Sequence, residues 1–122
     1  MFSVEMSRRF DAVQGLPSTV RGTDGRVPVV RCAVTMRLGF AFGDDRLDRD
    51  QRFLGAETAD QLLDEYADRL EAQTWTEIFD ATPTFEYVTR WLFEQIEPKL
   101  PELTHVTLHN DTLDVTTTYT AA

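Results

Sequence analysis

Few residues in this 122-residue chain are able to do acid–base, nucleophilic or metal chemistry, since it has one cysteine and two histidines. Cys32 lies inside an apolar run, and His105 and His109 are four residues apart in an alternating segment. Residues four apart on a strand point to the same side, so these histidines supply at most two ligands to one metal ion. Catalytic zinc needs three protein ligands and an open position. The residue types therefore favour neither a multi-cysteine metal cluster nor a serine–histidine–aspartate site.

A cluster of aspartates and the single lysine are the other residues that could take part in chemistry. Asp44, Asp45, Asp48 and Asp50 are close enough in sequence to gather a hard cation, but they lack the regular Asp-x-Asp-x-Asp-Gly spacing of a ligand loop. A solvated turn is the favoured interpretation. Lys99, the only lysine, lies between two prolines at the end of a predicted helix, which argues against lysine-dependent catalysis.

Charge and hydropathy limit the partners and the compartment. The net charge is −9, and residues 53–122 contain three basic against fourteen acidic residues. No basic stripe with interleaved aromatics is present, so we expect no nucleic-acid partner. No apolar run approaches the roughly 20 residues that span a bilayer. Arginines follow the apolar residues at the N-terminus, the reverse of a secretory signal, and we expect a cytoplasmic protein. The length predicts a single domain over residues 1–122.

A long strand is the clearest structural signal. Within Val27–Phe42 every even position from Val30 onward is apolar, and the odd positions are small or polar. This alternation predicts a strand with one buried face, with a kink at Gly39. Residues 2–13 alternate in the same way and predict a partner strand, and residues 14–28 predict a long connection rich in glycine and proline.

Helical and further strand patterns follow. Ala56–Gln73 has an amphipathic helical stripe, and a second helix is predicted with Thr82 as its N-cap and Pro83 as its first residue, ending before Pro98. Residues 105–109 and 113–120 predict two strands joined by a turn at Asn110-Asp111. The fold class is therefore α+β, a four-stranded antiparallel sheet with two helices on one face in the order ββααββ. Unpaired edge strands would favour a symmetric oligomer.

Local motifs in this order carry a family resemblance. Phe10–Leu16 reads FDAVQGL, Leu47-Asp48 is followed by Phe53, and residues 83–86 read PTFE with Trp91-Leu92 after them. Leu103–Asp111 and Tyr119 complete the series. The chain resembles the 6-pyruvoyl- and 6-carboxy-tetrahydropterin synthase family, in its F-x-A-x-H-x-L and P-T-x-E-x-x-x-x-W-L motifs above all. The resemblance implies the tunnelling fold, in which subunits join their sheets into an oligomeric barrel, and a zinc-dependent lyase acting on a pterin-type substrate.

The chain departs from the family at the chemistry. Gln14 stands at the position of the first zinc histidine, and Val30, Arg31 and Cys32 stand near the family's H-G-H. The family's catalytic histidine falls near Trp75-Thr76. The glutamate that anchors the pterin falls near Asn110. The nucleophilic cysteine has no counterpart between Gly15 and Val29. The resemblance with these departures implies a lost zinc site, and we expect no cofactor.

Three hypotheses follow. The first is a divergent, zinc-free relative that is a ligand-binding or structural homo-oligomer, with a pterin or purine-like planar heterocycle as its ligand. Its candidate ligand-binding residues are Gln14, Cys32, Thr76, Glu86, Asn110 and Asp111. Cys32, Glu86 and Asp111 also have purely structural explanations, as a core residue, a helix N-terminal acid and a turn carboxylate. The second is an active pterin-processing enzyme with a rearranged site that recruits Cys32, His105, His109 or Asp111. The third is a metal-free aldolase or epimerase of the same fold.

Overall fold

The computed structural model describes residues 1–16 and 31–121, and it contains one antiparallel sheet in the order β1-β2-β3-β4. The elements are β1 (Phe2–Val13), β2 (Arg31–Phe42), α1 (Ala56–Ala72), α2 (Trp75–Ile78), α3 (Phe85–Ile96), β3 (Leu103–Asn110) and β4 (Val115–Thr120). A short 3-10 turn covers Asp44–Arg46. The helices pack on one face of the sheet, with α1 over β1 and α3 over β3 and β4. The predicted fold class is confirmed.

Strand β2 has the predicted alternation of burial. Its even residues face the helices, and Val34, Met36 and Leu38 are fully buried. Strand β1 pairs with it along its whole length, from Phe2 opposite Phe42 to Val13 opposite Arg31. The predicted start of this strand at residues 27–30, and most of the predicted connection, lie outside the described residues.

The helices bury the stripes that their periodicity predicted. The buried residues of α1 are Ala59, Leu62, Leu63, Tyr66, Ala67 and Leu70. Those of α3 include Phe85, Val88, Leu92 and Ile96. Between the two helices, the short helix α2 was not predicted, and it carries the fully buried Trp75.

The predicted start of the second helix is wrong by two residues. Thr84, not Thr82, is the N-cap, and its hydroxyl accepts a hydrogen bond from the Tyr87 amide at 3.1 Å. Pro83 lies outside the helix: the Tyr87 amide, which would bond to the Pro83 carbonyl oxygen in a helix that included it, bonds to Thr84 Oγ1, and the Gln14 side chain donates to that carbonyl. Starting at Phe85 also places that ring in the core.

The boundaries of the last two strands also differ from the prediction. Asn110 is the final residue of β3, and β4 begins at Val115 rather than Leu113. The intervening turn needs a left-handed residue, and Asp114 adopts it with φ 56°. Asp and Asn tolerate this conformation better than most residues do.

The acidic segment after β2 is organised by one carboxylate. Asp48 Oδ1 accepts hydrogen bonds from the backbone amides of Asp50 and Arg52, at 2.8 and 3.0 Å. The bond from the Arg52 amide is the main cause of a lowered pKa at Asp48. This carboxylate therefore has a structural role in the turn.

Gly39 is the point where β2 departs from regular pairing, as the sequence predicted. The register with β3 shifts between Gly39 and Phe40, and the His105 ring occupies the space where a side chain at Gly39 would begin. A Cβ atom there would lie 2.0 Å from His105 Cε1. The ring crosses β2 above Gly39, and its Nε2 reaches Glu5 Oε2 on β1 at 3.3 Å.

Replacing Gly39 with alanine should destabilise the protein by roughly 1–3 kcal/mol, because the new methyl group overlaps the His105 ring. Urea unfolding monitored by circular dichroism measures the change. In a His105→Ala background the same substitution should cost clearly less, since the overlap is gone. An equal cost in both backgrounds would show that the overlap is not the cause.

Candidate functional site

Most of the candidate residues lie on the helix side of the sheet, around the place where β1 ends and β2 begins. Ala12 pairs with Cys32 and Val13 with Arg31. Directly paired residues share a face of the sheet, so Cys32 lies with Ala12 on the side that faces the helices. Both side chains are buried.

The turn that follows β1 is held against α2 and the start of α3. Gln14 Nε2 donates a hydrogen bond to the Pro83 carbonyl oxygen at 2.9 Å. Gly15 has φ +83°, and a Cβ atom there would lie 2.5 Å from Thr76 Oγ1 and 2.7 Å from Thr74 Cγ2. Only glycine satisfies both the left-handed conformation and this close approach. The residue after Gln14 is thereby placed against Thr76.

A buried indole supports this junction. Trp75 Nε1 donates a hydrogen bond to the Leu70 carbonyl oxygen at 2.9 Å, which joins α2 to the end of α1. The Trp75 ring lies 5.2 Å from the Phe85 ring at the start of α3. A buried indole N–H needs such a partner, and here the bond fixes the segment that carries Thr76.

Glu86 lies in the first turn of α3, two residues after the Thr84 cap, and its side chain is exposed. A carboxylate in this position stabilises the positive end of the helix dipole. Glu86 follows Pro83 by three residues in the chain. Its position in the first turn of α3 is explained by its favourable interaction with the helix dipole.

The last two candidate residues lie on opposite faces of the sheet. Asn110 pairs with Val34 on the helix side, where it is buried, and its Oδ1 accepts a hydrogen bond from the Leu113 amide at 3.1 Å. Asp111 turns to the other face, which we call the open face because none of the helices in residues 31–121 packs on it. There its Oδ2 accepts a hydrogen bond from Thr35 Oγ1 at 2.9 Å and lies 3.2 Å from Arg9 Nε.

Both histidines also lie on the open face, as their spacing predicted. His109 Nε2 is 3.5 Å from Asp111 Oδ1 and 3.4 Å from Asp114 Oδ1, while its Nδ1 is 2.7 Å from Thr116 Oγ1. Arg9, Thr35, His109 and Thr116 form one row across all four strands. The alternation in the sequence indicates the shared face, but the row depends on the pairing register, and sequence reasoning missed it.

The electrostatics at Cys32 favour a neutral thiol. Burial, followed by the negative charges of Asp11 and Asp111, raises the pKa of the Cys32 thiol above its ordinary value. The thiolate is the form that attacks electrophiles and binds metals. A raised pKa therefore makes Cys32 a weak nucleophile and a weak metal ligand near neutral pH.

The side chains at the candidate site do not fit a zinc ion. Zinc sites use thiolate, imidazole or carboxylate ligands. The helix side offers the amide of Gln14, already bonded to Pro83, and a thiol that resists ionisation. His105 and His109 are on the other face. Across residues 1–16 and 31–121, no three histidine, cysteine or acidic side chains are grouped as a metal site would require.

Cys32 should react slowly with iodoacetamide in the native protein at pH 7.5, roughly tenfold or more below its rate in urea, because burial limits access and raises the thiol pKa. The native rate should keep rising as the pH increases through 9, since thiolate accumulates only there. Mass spectrometry of timed samples measures both rates. A fast reaction that is already independent of pH at 7.5 would contradict the assignment.

Comparison with known proteins gives a match in structure and none in sequence. No protein-family model and no curated protein sequence matches the chain. Among solved structures, 6-pyruvoyl tetrahydropterin synthase of Caenorhabditis elegans superposes with a TM-score of 0.76 at 13% identity, over 99% of this chain and 96% of that one. No helix in the described ranges is long and apolar enough to cross a membrane. The superposition shows that the chain has the fold of a 6-pyruvoyl tetrahydropterin synthase.

Proposed function

We propose that the protein is a divergent relative of the tetrahydropterin synthases that has lost zinc-dependent lyase activity and acts as a ligand-binding or structural homo-oligomer. The observation that carries this proposal is the mismatch of fold and chemistry. The fold matches over 99% of the chain, yet the Gln14 amide and the buried Cys32 thiol, whose pKa is raised by burial, stand where the family resemblance expects zinc histidines.

The proposed ligand is a planar heterocycle with a guanidine-like edge, such as a pterin or a purine. Asp111 supports this class because its carboxylate already interacts with the Arg9 guanidinium through Oδ2, at 3.2 Å. A carboxylate accepts two hydrogen bonds from such an edge with favourable geometry. The ligand would displace Arg9, whose side chain is 70% exposed and therefore free to move.

The proposed assembly is by way of the sheet edges. In the described part of the chain, β1 and β4 each pair with a neighbour on one side only. Unpaired edges are templates for another chain, and a closed ring of sheets removes them. A homo-oligomer closed through these edges would convert the open face into the lining of a barrel.

A second candidate is an active pterin-processing enzyme with a rearranged site. One observation favours it: His109 Nε2 lies 3.5 Å from Asp111 Oδ1, with Thr35 donating to the same carboxylate. An imidazole oriented by a carboxylate is able to act as a general base. This site would lie on the open face and use no metal.

Metal content and ligand binding test the proposal together. Protein incubated with zinc chloride and then dialysed should hold well under one zinc per chain by mass spectrometry. Neopterin or guanosine triphosphate should raise the melting temperature, because a ligand that binds only the folded state stabilises it. Asp111→Asn should abolish the rise, whereas Glu57→Gln, an exposed change on α1, should preserve it.

Stoichiometric zinc that is lost on Cys32→Ser would refute the loss of the metal site. No thermal shift with either compound would remove the ligand and leave a structural role. Turnover of a pterin substrate by the metal-free protein, abolished in His109→Gln, would favour the second candidate instead.

The oligomer has its own test. Sedimentation velocity should give a mass that is a multiple of the 14.0 kDa chain. Thr118→Pro, in the middle of the edge strand β4, should shift the protein towards the monomer, because proline removes a backbone donor and disturbs an edge. A wild-type monomer at micromolar concentration would contradict the assembly.

A further inference from the structure

A groove on the outer surface of α3 lies apart from the candidate site. Its cavity has a volume of about 300 Å³ and is lined by Tyr87, Arg90, Trp91 and Glu94. This spacing places the four residues along one side of the helix, opposite the stripe that packs into the core. The volume is at the lower end of the range for small-molecule sites.

The aromatic walls of the groove are held in place by neighbouring rings. The Phe79 ring contacts those of Tyr87 and Trp91 nearly at right angles, with centroids 5.5 and 4.9 Å away. The Tyr66 ring on α1 contacts Trp91 in the same way, at 5.6 Å. Because these rings are already packed, a ligand that contacts them loses little side-chain entropy at the aromatic walls.

Two tyrosine rings that contact groove-lining side chains already bind guanidinium groups. The Arg69 guanidinium lies 5.0 Å from the centroid of Tyr66, which contacts Trp91, and the Arg90 guanidinium lies 5.8 Å from the Tyr119 ring centroid on β4. In the groove itself, Tyr87 and Trp91 present aromatic surface beside the exposed carboxylate of Glu94. The groove therefore has aromatic rings and the Glu94 carboxylate, which attract a cationic group of a ligand. It also has the Arg90 guanidinium, which attracts an anionic group.

We propose that this groove binds a small zwitterion of the betaine class, in which a quaternary trimethylammonium and a carboxylate are joined by a short carbon chain. A quaternary ammonium has no N–H and cannot donate hydrogen bonds, so aromatic faces and a nearby carboxylate are the groups that recognise it. Tyr87, Trp91 and Glu94 supply both. The ligand carboxylate pairs with Arg90. A purely anionic ligand is disfavoured, because residues 53–122 carry fourteen acidic against three basic side chains.

Tryptophan fluorescence provides a direct readout. Trp75 is fully buried, whereas Trp91 lines the groove, so a ligand should perturb the emission of Trp91. Glycine betaine should give a saturable change at millimolar or lower concentration, confirmed by calorimetry. Choline, which has the same cation and no carboxylate, should bind about tenfold more weakly, because it makes no ion pair with Arg90.

Charge variants keep the test independent of folding, since Arg90 and Glu94 are exposed. Arg90→Gln should bring glycine betaine down to the affinity of choline. Glu94→Gln should weaken both by about tenfold. Glu57→Gln, an exposed carboxylate in the first turn of α1, should change neither.

Three results would overturn the proposal. They are the absence of a saturable signal, equal binding of glycine betaine and choline to the wild-type protein, and affinities that survive both Arg90→Gln and Glu94→Gln. Because the groove shares no residue with the candidate site, none of these results depends on whether a pterin binds.

Discussion

The pairing of β1 with β2 is the constraint on which the rest of the structure depends. Twelve consecutive pairs, from Phe2–Phe42 to Val13–Arg31, determine which side chains face the helices. A slip of one residue would turn every apolar side chain of β2 to the opposite face, so the buried even positions hold the register strongly. The same register places Cys32 beside Ala12 in the core. The position of Asn110 follows in turn from the pairing of β2 with β3, in which it lies opposite Val34.

The sheet divides the chemistry of the chain between its two faces. The helix side has an amide, a thiol and hydroxyl groups, held by contacts such as Gln14 to Pro83. The open face has the imidazoles and most of the strand charges, including the row that begins at Arg9. The chain does not fit zinc, mainly because its metal-binding residue types are on opposite faces of the sheet, and less because they are few. His109 and Cys32 are both metal-binding residue types, but a sheet separates them, and burial raises the pKa of the thiol.

Much of the fold was predictable because it depends on local periodicity. Alternation in β2 and the helical stripes of α1 and α3 identified most of the core. The missed features depend on contacts between distant residues. The helix begins two residues later than predicted: Thr84 caps it, and the Pro83 carbonyl oxygen, outside the helix, accepts a hydrogen bond from Gln14, 69 residues earlier in the chain. Within the candidate site, adjacency in sequence was misleading: Asn110 and Asp111 are neighbours in the chain, but a strand end sends their side chains to opposite faces.

The edge of β1 also constrains how the proposed oligomer would close. Glu71 on α1 accepts a hydrogen bond from the Asp11 amide at 3.1 Å, and Arg8 forms ion pairs with Asp60 and Asp64 on the same helix. The Asp11 amide cannot pair with an incoming strand, because it is already bonded to a helix side chain, and the Arg8 ion pairs hold the same half of β1 against α1. The first half of β1 is about as long as the six-residue β4. A β4 strand from another copy would therefore be expected to pair near the start of β1, where Phe2 is 44% exposed and would be covered.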